Sequence, residues 1–89
     1  MAKGEISWRR QAEGGGKVQV YAHRVGDRWM FYSRPKRYEP WQLVEDPPLE
    51  DWLALLDGVE RRAARRLKRP EEVIRIRKLI HERFPNAPL

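Results

Sequence analysis

The residues best suited to binding chemistry form a basic run in the second half of the chain. Residues 61–69 read RRAARRLKR, with six basic residues and no acidic one. A nucleic acid backbone presents regularly spaced phosphates, so a run of this density is typical of a polyanion contact. Alternatively, because residues 49–60 carry four acids and no base, a helix across both stretches is charged as its own dipole prefers. Both interpretations stay open, and the basic residues concerned are Arg61, Arg62, Arg65, Arg66, Lys68 and Arg69.

A second group of side chains combines aromatic rings with positive charge. Two β-like runs contain tyrosine and histidine, and the basic segment RPKRY at 34–38 follows them. Aromatic rings stack on unpaired bases while guanidinium groups pair with phosphates, so this combination is typical of sites for single-stranded nucleic acid. A tyrosine pair that only stabilises a solvent-facing sheet has the same pattern. The predicted binding residues here are Tyr21, His23, Tyr32, Arg34, Lys36 and Arg37.

Catalytic and metal chemistry have little basis in the sequence. The chain has no cysteine and only two histidines, His23 and His81, which excludes thiol nucleophiles and thiolate metal sites. His81 and Glu82 are adjacent on a predicted helix, so their side chains point about 100° apart. The segment GGGK at 14–17 lacks the spacing of a phosphate-binding loop and precedes a strand. We therefore expect no enzyme activity, no metal and no cofactor.

A predicted β-hairpin positions the aromatic group. Runs 17–25 and 28–33 are rich in β-branched and aromatic residues, and the Gly-Asp pair at 26–27 between them suits a two-residue type II′ turn. The register that this turn sets places Tyr21 opposite Tyr32 on one face. The other face is more apolar and is the predicted core. Its residues are Val18, Val20, Ala22, Trp29 and Phe31.

Two further strands and two helices complete the pattern. Residues 5–11 alternate and predict a strand, and residues 41–45 predict a short edge strand because Pro40 lacks an amide donor. Helical spacing predicts a long helix over 48–69 and a second over 70–84. The apolar stripe of the long helix is Leu49, Trp52, Leu53, Leu56, Val59, Ala63 and Leu67.

The order of these elements places the chain in the α+β class, as a three- or four-stranded antiparallel β-meander followed by a long helix and a second, shorter helix. We expect residues 1–89 to form a single domain, with the sheet over 5–46. A meander followed by a helix that begins PPLEDWLALL resembles the Pur-type single-stranded nucleic acid binding domains. Such domains run four strands and then a helix with an aromatic residue near its start. The resemblance covers residues 5–68, and the second helix departs from it.

Charge and length narrow the function further. The 89 residues contain 19 Lys and Arg against 13 Asp and Glu, a formal charge of +6 that suits a polyanionic partner. No run approaches the roughly 20 apolar residues that cross a bilayer, so we expect a cytoplasmic protein without membrane contact. The leading hypothesis is a small basic module that binds nucleic acid, single-stranded by preference, through the Arg-rich helix end and the aromatic sheet face.

The alternative belongs to another class of function. The second predicted helix has apolar residues on more than one side, which is typical of a protein interaction or homo-oligomeric assembly subunit without nucleic acid binding. An acidic protein would be the partner expected from the charge. By a small margin we expect homo-oligomerisation over a monomer.

Overall fold

The chain folds into two compact units, residues 1–47 and 48–89. The computed structural model describes residues 5–12, 14–65 and 70–89. The first unit is a four-stranded antiparallel sheet and the second contains two helices. The predicted α+β class is therefore confirmed.

The sheet is a simple meander in which neighbouring strands are consecutive in the sequence. Its strand order is β1-β2-β3-β4, and each pair is antiparallel. The predicted strands all form, with ends that differ by at most one residue. The bounds are β1 Ile6–Gln11, β2 Lys17–Val25, β3 Arg28–Arg34 and β4 Gln42–Val44.

The hairpin between β2 and β3 has the predicted register. Val25 pairs with Arg28 across a two-residue connection, and Tyr21 pairs with Tyr32 four positions further along. Gly26 has a φ of +63°, in the left-handed region that favours glycine and that primed hairpin turns require. The local sequence therefore determines which residues of the hairpin share a face.

The buried side chains of the sheet unit's strands all lie on the predicted core face. Successive residues of a strand point to opposite faces, so the register collects these side chains on one side. Trp8 of β1 also lies on this face, where its ring meets the ring of Phe31 edge-on at 6.0 Å. Trp8 is only half-buried, whereas Trp29 is buried as predicted. The buried strand residues are Ile6, Val20, Ala22, Trp29 and Phe31.

The first helix, α1, spans Leu49–Ala64. It begins after Pro48, whose carbonyl accepts hydrogen bonds from the backbone N–H groups of Asp51 and Trp52 at 3.0 and 3.3 Å. The sequence predicts that this helix ends at residue 69. This C-terminal end is wrong, because Ala64 is the last helical residue and Arg65 lies in a turn after it. Residues 66–69 lie outside the described residues.

The buried stripe of α1 differs from the predicted one. Leu55 is fully buried, whereas Leu53, predicted to be in the stripe, is only half-buried. The buried apolar side chains Trp52, Leu55, Leu56 and Val59 follow the i, i+3, i+4, i+7 spacing of one helix face. The predicted stripe therefore shares Trp52, Leu56 and Val59 with the buried face, but it includes Leu53 where the structure buries Leu55. The predicted stripe member Leu67 lies outside the described part of the chain.

The second helix, α2, spans Pro70–Arg83 and contacts α1. Arg83, the last residue of α2, places its guanidinium 5.4 Å from the ring centroid of Trp52 near the start of α1. Arg77 and Glu60 form an ion pair at 3.0 Å between the two helices. These contacts make the pair antiparallel, with Ile76 and Ile80 buried on α2. Within the described ranges, no helix has the length and apolar character needed to cross a membrane.

Truncating Phe31 tests the core face. Phe31 is 2% exposed, so we expect Phe31→Ala to lower the free energy of unfolding by about 3–5 kcal/mol, because it removes a buried ring and leaves a cavity. The exposed Leu43 of β4 provides the control, since Leu43→Ala should change that free energy by no more than about 0.5 kcal/mol. Denaturant unfolding measures both changes. Equal effects of the two substitutions would contradict the assignment of the buried face.

The same experiment tests whether residues 1–89 form a single domain, which stays a prediction. A single domain of this size unfolds cooperatively, so probes of the tryptophans and of the helices should report one transition. Two separate transitions would contradict the single-domain prediction.

Candidate nucleic-acid interface

Four aromatic rings form a cluster on the face of the sheet opposite the buried side chains. We call this cluster, Tyr21, His23, Tyr32 and Trp41, the aromatic face. The rings of Tyr21 and Tyr32 are stacked, with centroids 5.0 Å apart and planes 16° apart. His23 meets both edge-on, at 6.0 Å from Tyr21 and 5.6 Å from Tyr32. The hairpin register predicts that these three residues share a face, and the structure brings their rings together.

Trp41 is the fourth ring, and the sequence-based list of binding residues omits it. Its ring lies 4.6 Å from that of Tyr21, nearly perpendicular at 89°, and the residue is 36% exposed. Aromatic pairs at such distances contribute about 0.5–1.5 kcal/mol beyond the area that they bury. Trp41 lies just before β4, one position beyond the Ser33–Gln42 pair, so the register of β4 with β3 places it opposite Arg34 and side-chain contacts hold its ring.

Arg34 joins the aromatic face to the positive charge around it. Its guanidinium carbon lies 4.2 Å from the ring centroid of Trp41, which is a cation–π contact. Its Nε–H donates a hydrogen bond of 2.7 Å to the side-chain oxygen Oε1 of Gln19, the residue that faces it across the β2–β3 ladder. Arg34 is thus held from two sides, and it holds Trp41 over the sheet.

An open groove of about 580 Å³ runs beside the aromatic face. Strand β1 contributes Ser7 and Arg9, which pair with Tyr21 and Gln19 on β2. The groove is therefore lined by aromatic rings and by polar side chains that include both hydrogen-bond donors and hydrogen-bond acceptors. Its lining includes Glu5, Ser7, Arg9, Gln19, Tyr21 and Trp41.

The phenol of Tyr21 has a perturbed ionisation. Partial burial raises its pKa above the ordinary value of 10.0, and repulsion by negative charge on Tyr32, then on Glu5, acts in the same direction. The phenol is therefore neutral around pH 7, and it brings no negative charge that would repel a phosphate.

The remaining predicted basic residues of the sheet unit, Lys36 and Arg37, lie in the connection from β3 to β4. Both are exposed, and the guanidinium of Arg37 lies 5.8 Å from the ring of Tyr38. Tyr38 is 91% exposed. This connection therefore presents two positive charges and one ring to solvent, close in sequence to Arg34 and Trp41.

The predicted basic residues of the helical unit form a separate group. Arg61 is exposed and pairs with Asp57 one turn earlier, while Arg62 donates a hydrogen bond of 3.4 Å to the carbonyl of Gly58. Arg65 is exposed at the end of α1. An exposed pair four residues apart contributes only about 0.3–0.5 kcal/mol, so the ion pair with Asp57 holds Arg61 weakly. The predicted residues Arg66, Lys68 and Arg69 lie outside the described residues.

Metal ligands do not gather in the part of the chain that the structure describes. Among residues 5–12, 14–65 and 70–89, no group of three or more His, Asp or Glu side chains could hold a metal ion. The two histidines lie in different units, since His23 is in β2 and His81 is in α2.

Comparisons with known proteins provide no relative from which to transfer a function. No protein-family model matches the chain, and searches of curated proteins and of solved structures find no match.

The raised pKa of Tyr21 gives a titration that tests the packing of the aromatic face. The folded state disfavours the phenolate of Tyr21. The titration curve of wild type minus that of Tyr21→Phe isolates this one phenol, and we expect it to titrate above pH 10. The associated contribution to stability is present below the unfolded-state pKa and is lost as the pH rises above it. The ultraviolet absorbance of phenolate measures the titration. A difference curve centred at or below pH 10 would contradict the packing described.

Proposed function

We propose that this protein is a binding module that holds single-stranded nucleic acid against the aromatic face of its sheet. The observation that carries the proposal is the four-ring cluster with the Arg34 guanidinium on the non-buried face, beside an open groove. Rings of this kind stack on bases of any sequence, and cations beside them neutralise the phosphates between those bases. No catalytic step is part of the proposal.

The distribution of charge over the sheet supports a polyanionic ligand. Within the four described strands, the positions on this face carry basic residues and no acidic one. Three of the four basic side chains are exposed. The fourth, Arg34, donates its Nε–H to Gln19 and has two terminal amino groups as further donors. These basic residues are Arg9, Lys17, Arg28 and Arg34.

Net charge alone does not favour the sheet over the helices. Residues 1–47 contain nine basic and six acidic residues, and residues 48–89 contain ten and seven. Both units thus have the same excess of three positive charges, so the aromatic rings are the feature that favours the sheet. We assign the described helix-end residues Arg61, Arg62 and Arg65 a supporting role in which they contact phosphates without reading bases.

Single strands suit this surface better than duplexes. The bases of a duplex are stacked on each other, and their flat faces are inaccessible to side chains on a sheet. A single strand can splay its bases onto rings such as Tyr32 and Trp41, with its phosphates toward Arg34 and the exposed 35–38 connection. Binding to DNA and to RNA is expected alike, and a cytoplasmic location fits either ligand.

Removing the rings should affect single strands alone. We expect Tyr21→Ala and Tyr32→Ala each to weaken binding of a short oligothymidylate by roughly 1–3 kcal/mol, the contribution of one stacked base. Duplex binding should change little, because it depends on phosphates. Fluorescence anisotropy with labelled oligonucleotides measures both affinities, and Leu43→Ala, an apolar truncation on the same face, is the matched control. Equal losses for single and double strands would contradict stacking.

Removing charge should change the salt dependence instead. Replacing Lys36 and Arg37 with Gln removes two phosphate contacts, so the slope of log K against log salt for single strands should decrease by roughly 0.7 per contact. The corresponding pair at the C-terminal end of α1, Arg61→Gln with Arg65→Gln, tests the supporting role of the helix end. The tyrosine variants should leave the slope unchanged. A wild-type protein without affinity for any oligonucleotide in low salt would contradict the proposed function.

Self-association is the second candidate function, and one observation favours it. Ile74 of α2 is 67% exposed. A partner that covers a large aliphatic side chain on a helix surface lowers the free energy, because apolar surface is removed from water. If α2 mediates a homo-oligomer, Ile74→Lys should lower the mass measured by light scattering at high micromolar concentration. A monomeric wild-type mass under those conditions would remove this candidate.

A further inference from the structure

Tyr38 is the most exposed large hydrophobic side chain in the part of the chain that the structure describes. The residue is 91% exposed, whereas Trp41, three positions later, is 36% exposed. A ring that stays in water removes almost no apolar surface from it, so the hydrophobic effect does not account for a tyrosine at this position. The ring of Tyr38 is therefore accessible to a ligand.

A β-turn holds Tyr38 at the surface. The backbone N–H of Glu39 donates a hydrogen bond of 3.0 Å to the carbonyl of Lys36, which makes Arg37 and Tyr38 the two central residues of the turn. Small or polar residues and proline dominate such positions in turns, so a tyrosine is unusual there. Prolines flank the turn on both sides and restrict its backbone. A constrained segment loses less conformational entropy when it binds a ligand.

Positive charge surrounds this ring. The guanidinium of Arg37 lies 5.8 Å from the ring centroid of Tyr38, and Lys36 is exposed in the same turn. Residues 34–39 carry three basic side chains and one acidic one, so the segment attracts an anion. A nucleotide offers a flat base to an aromatic ring and a phosphate to a cation. The turn therefore has both groups that a nucleotide needs.

The turn lies within reach of a strand bound on the aromatic face. Three residues of chain span at most about 11 Å, which limits the distance between the backbone of Tyr38 and that of Trp41. Stacked bases follow one another at about 3.4 Å along a strand, so a few nucleotides cover this distance. A strand that stacks on Trp41 therefore needs to be only slightly longer to reach Tyr38.

An acidic protein fits this turn less well than a nucleic acid strand. Stable protein interfaces bury about 800 Å² per partner around an apolar centre. Tyr38 is the one large apolar side chain of residues 35–39, and charged residues adjoin it on both sides. A single base covers such an isolated ring, because stacking needs only one flat face.

We propose that Tyr38 is an outer stacking platform, which binds a base beyond those held by the aromatic face while Arg37 and Lys36 contact the neighbouring phosphates. This inference rests on the proposed function. It makes affinity depend on the length of the strand, because short strands occupy the aromatic face alone and longer ones also reach Tyr38. One stacked base increases affinity by about tenfold.

The test compares wild type with Tyr38→Ala on oligothymidylates of roughly 2 to 16 nucleotides, a range that includes common site sizes. Fluorescence anisotropy gives the ratio of the two affinities at each length. The larger number of binding positions on a longer strand cancels in this ratio. We expect a ratio near 1 for the shortest strands and about 10 for the longest. Tyr38→Phe keeps the ring and should match wild type at every length.

The comparison within the aromatic face is Tyr32→Ala, which should weaken binding at all lengths. For Tyr38→Ala, a ratio near 1 at every length would overturn the outer platform and leave the proposed function intact. An equal loss at all lengths would also overturn it, because Tyr38 would then belong to the shortest site. A loss in Tyr38→Phe as large as in Tyr38→Ala would assign the effect to the hydroxyl group and overturn stacking.

Two further outcomes concern the ligand itself. If wild type binds polyglutamate and Tyr38→Ala weakens that binding as much as it weakens long-strand binding, the turn is a general polyanion contact and the stacking platform is overturned. Absence of wild-type binding to strands of every length would overturn both this inference and the proposed function. Unfolding midpoints that match wild type show that the Tyr38 variants fold.

Discussion

The two-residue connection at Gly26 and Asp27 determines which side chains of the central hairpin share a face. Because side chains alternate along a strand, a register shift of one residue would move Tyr21 to the buried face and Ala22 to the exposed one. Gly26 adopts a φ of +63°, which a β-branched residue would adopt only with strain. The buried face and the aromatic face are therefore consequences of the same turn, and neither forms in another register.

The aromatic face also depends on contacts that strand pairing does not provide. Trp41 precedes the three-residue strand β4 and follows Pro40, which has no amide hydrogen to donate to a neighbour. Its ring is held by Tyr21 and by the Arg34 guanidinium, and Arg34 is oriented by Gln19. A residue from one edge of the sheet thus reaches a groove whose other side is β1. This arrangement lets β1, β2 and the segment just before β4 line one groove.

The sequence was sufficient to predict the sheet and most of the aromatic face. Period-two alternation and the Gly-Asp turn act over a few neighbouring residues, so the register of β2 with β3 and the neighbours Tyr21, His23 and Tyr32 could be derived locally. Trp41 could not, because seven residues with two prolines separate β3 from β4 and leave their register open. With the observed pairing of Ser33 and Gln42, the next position places Trp41 opposite Arg34.

The errors in the helices have a similar origin. Arginine and alanine both favour helix, so the run after Ala64 gave no indication of where α1 ends. The segment LALL at 53–56 offers three leucines within four residues, and helical spacing alone does not say which of them are buried. The structure buries Leu55 and Leu56 and leaves Leu53 half-buried.

Amide NMR spectra recorded during titration with a short single-stranded oligonucleotide test the central claim most directly, because they locate the ligand on the chain. Binding to the aromatic face predicts that the largest shifts occur at Tyr21, Tyr32, Arg34 and Trp41. Shifts confined to residues of α1 and α2, or no shifts at all in low salt, would contradict it.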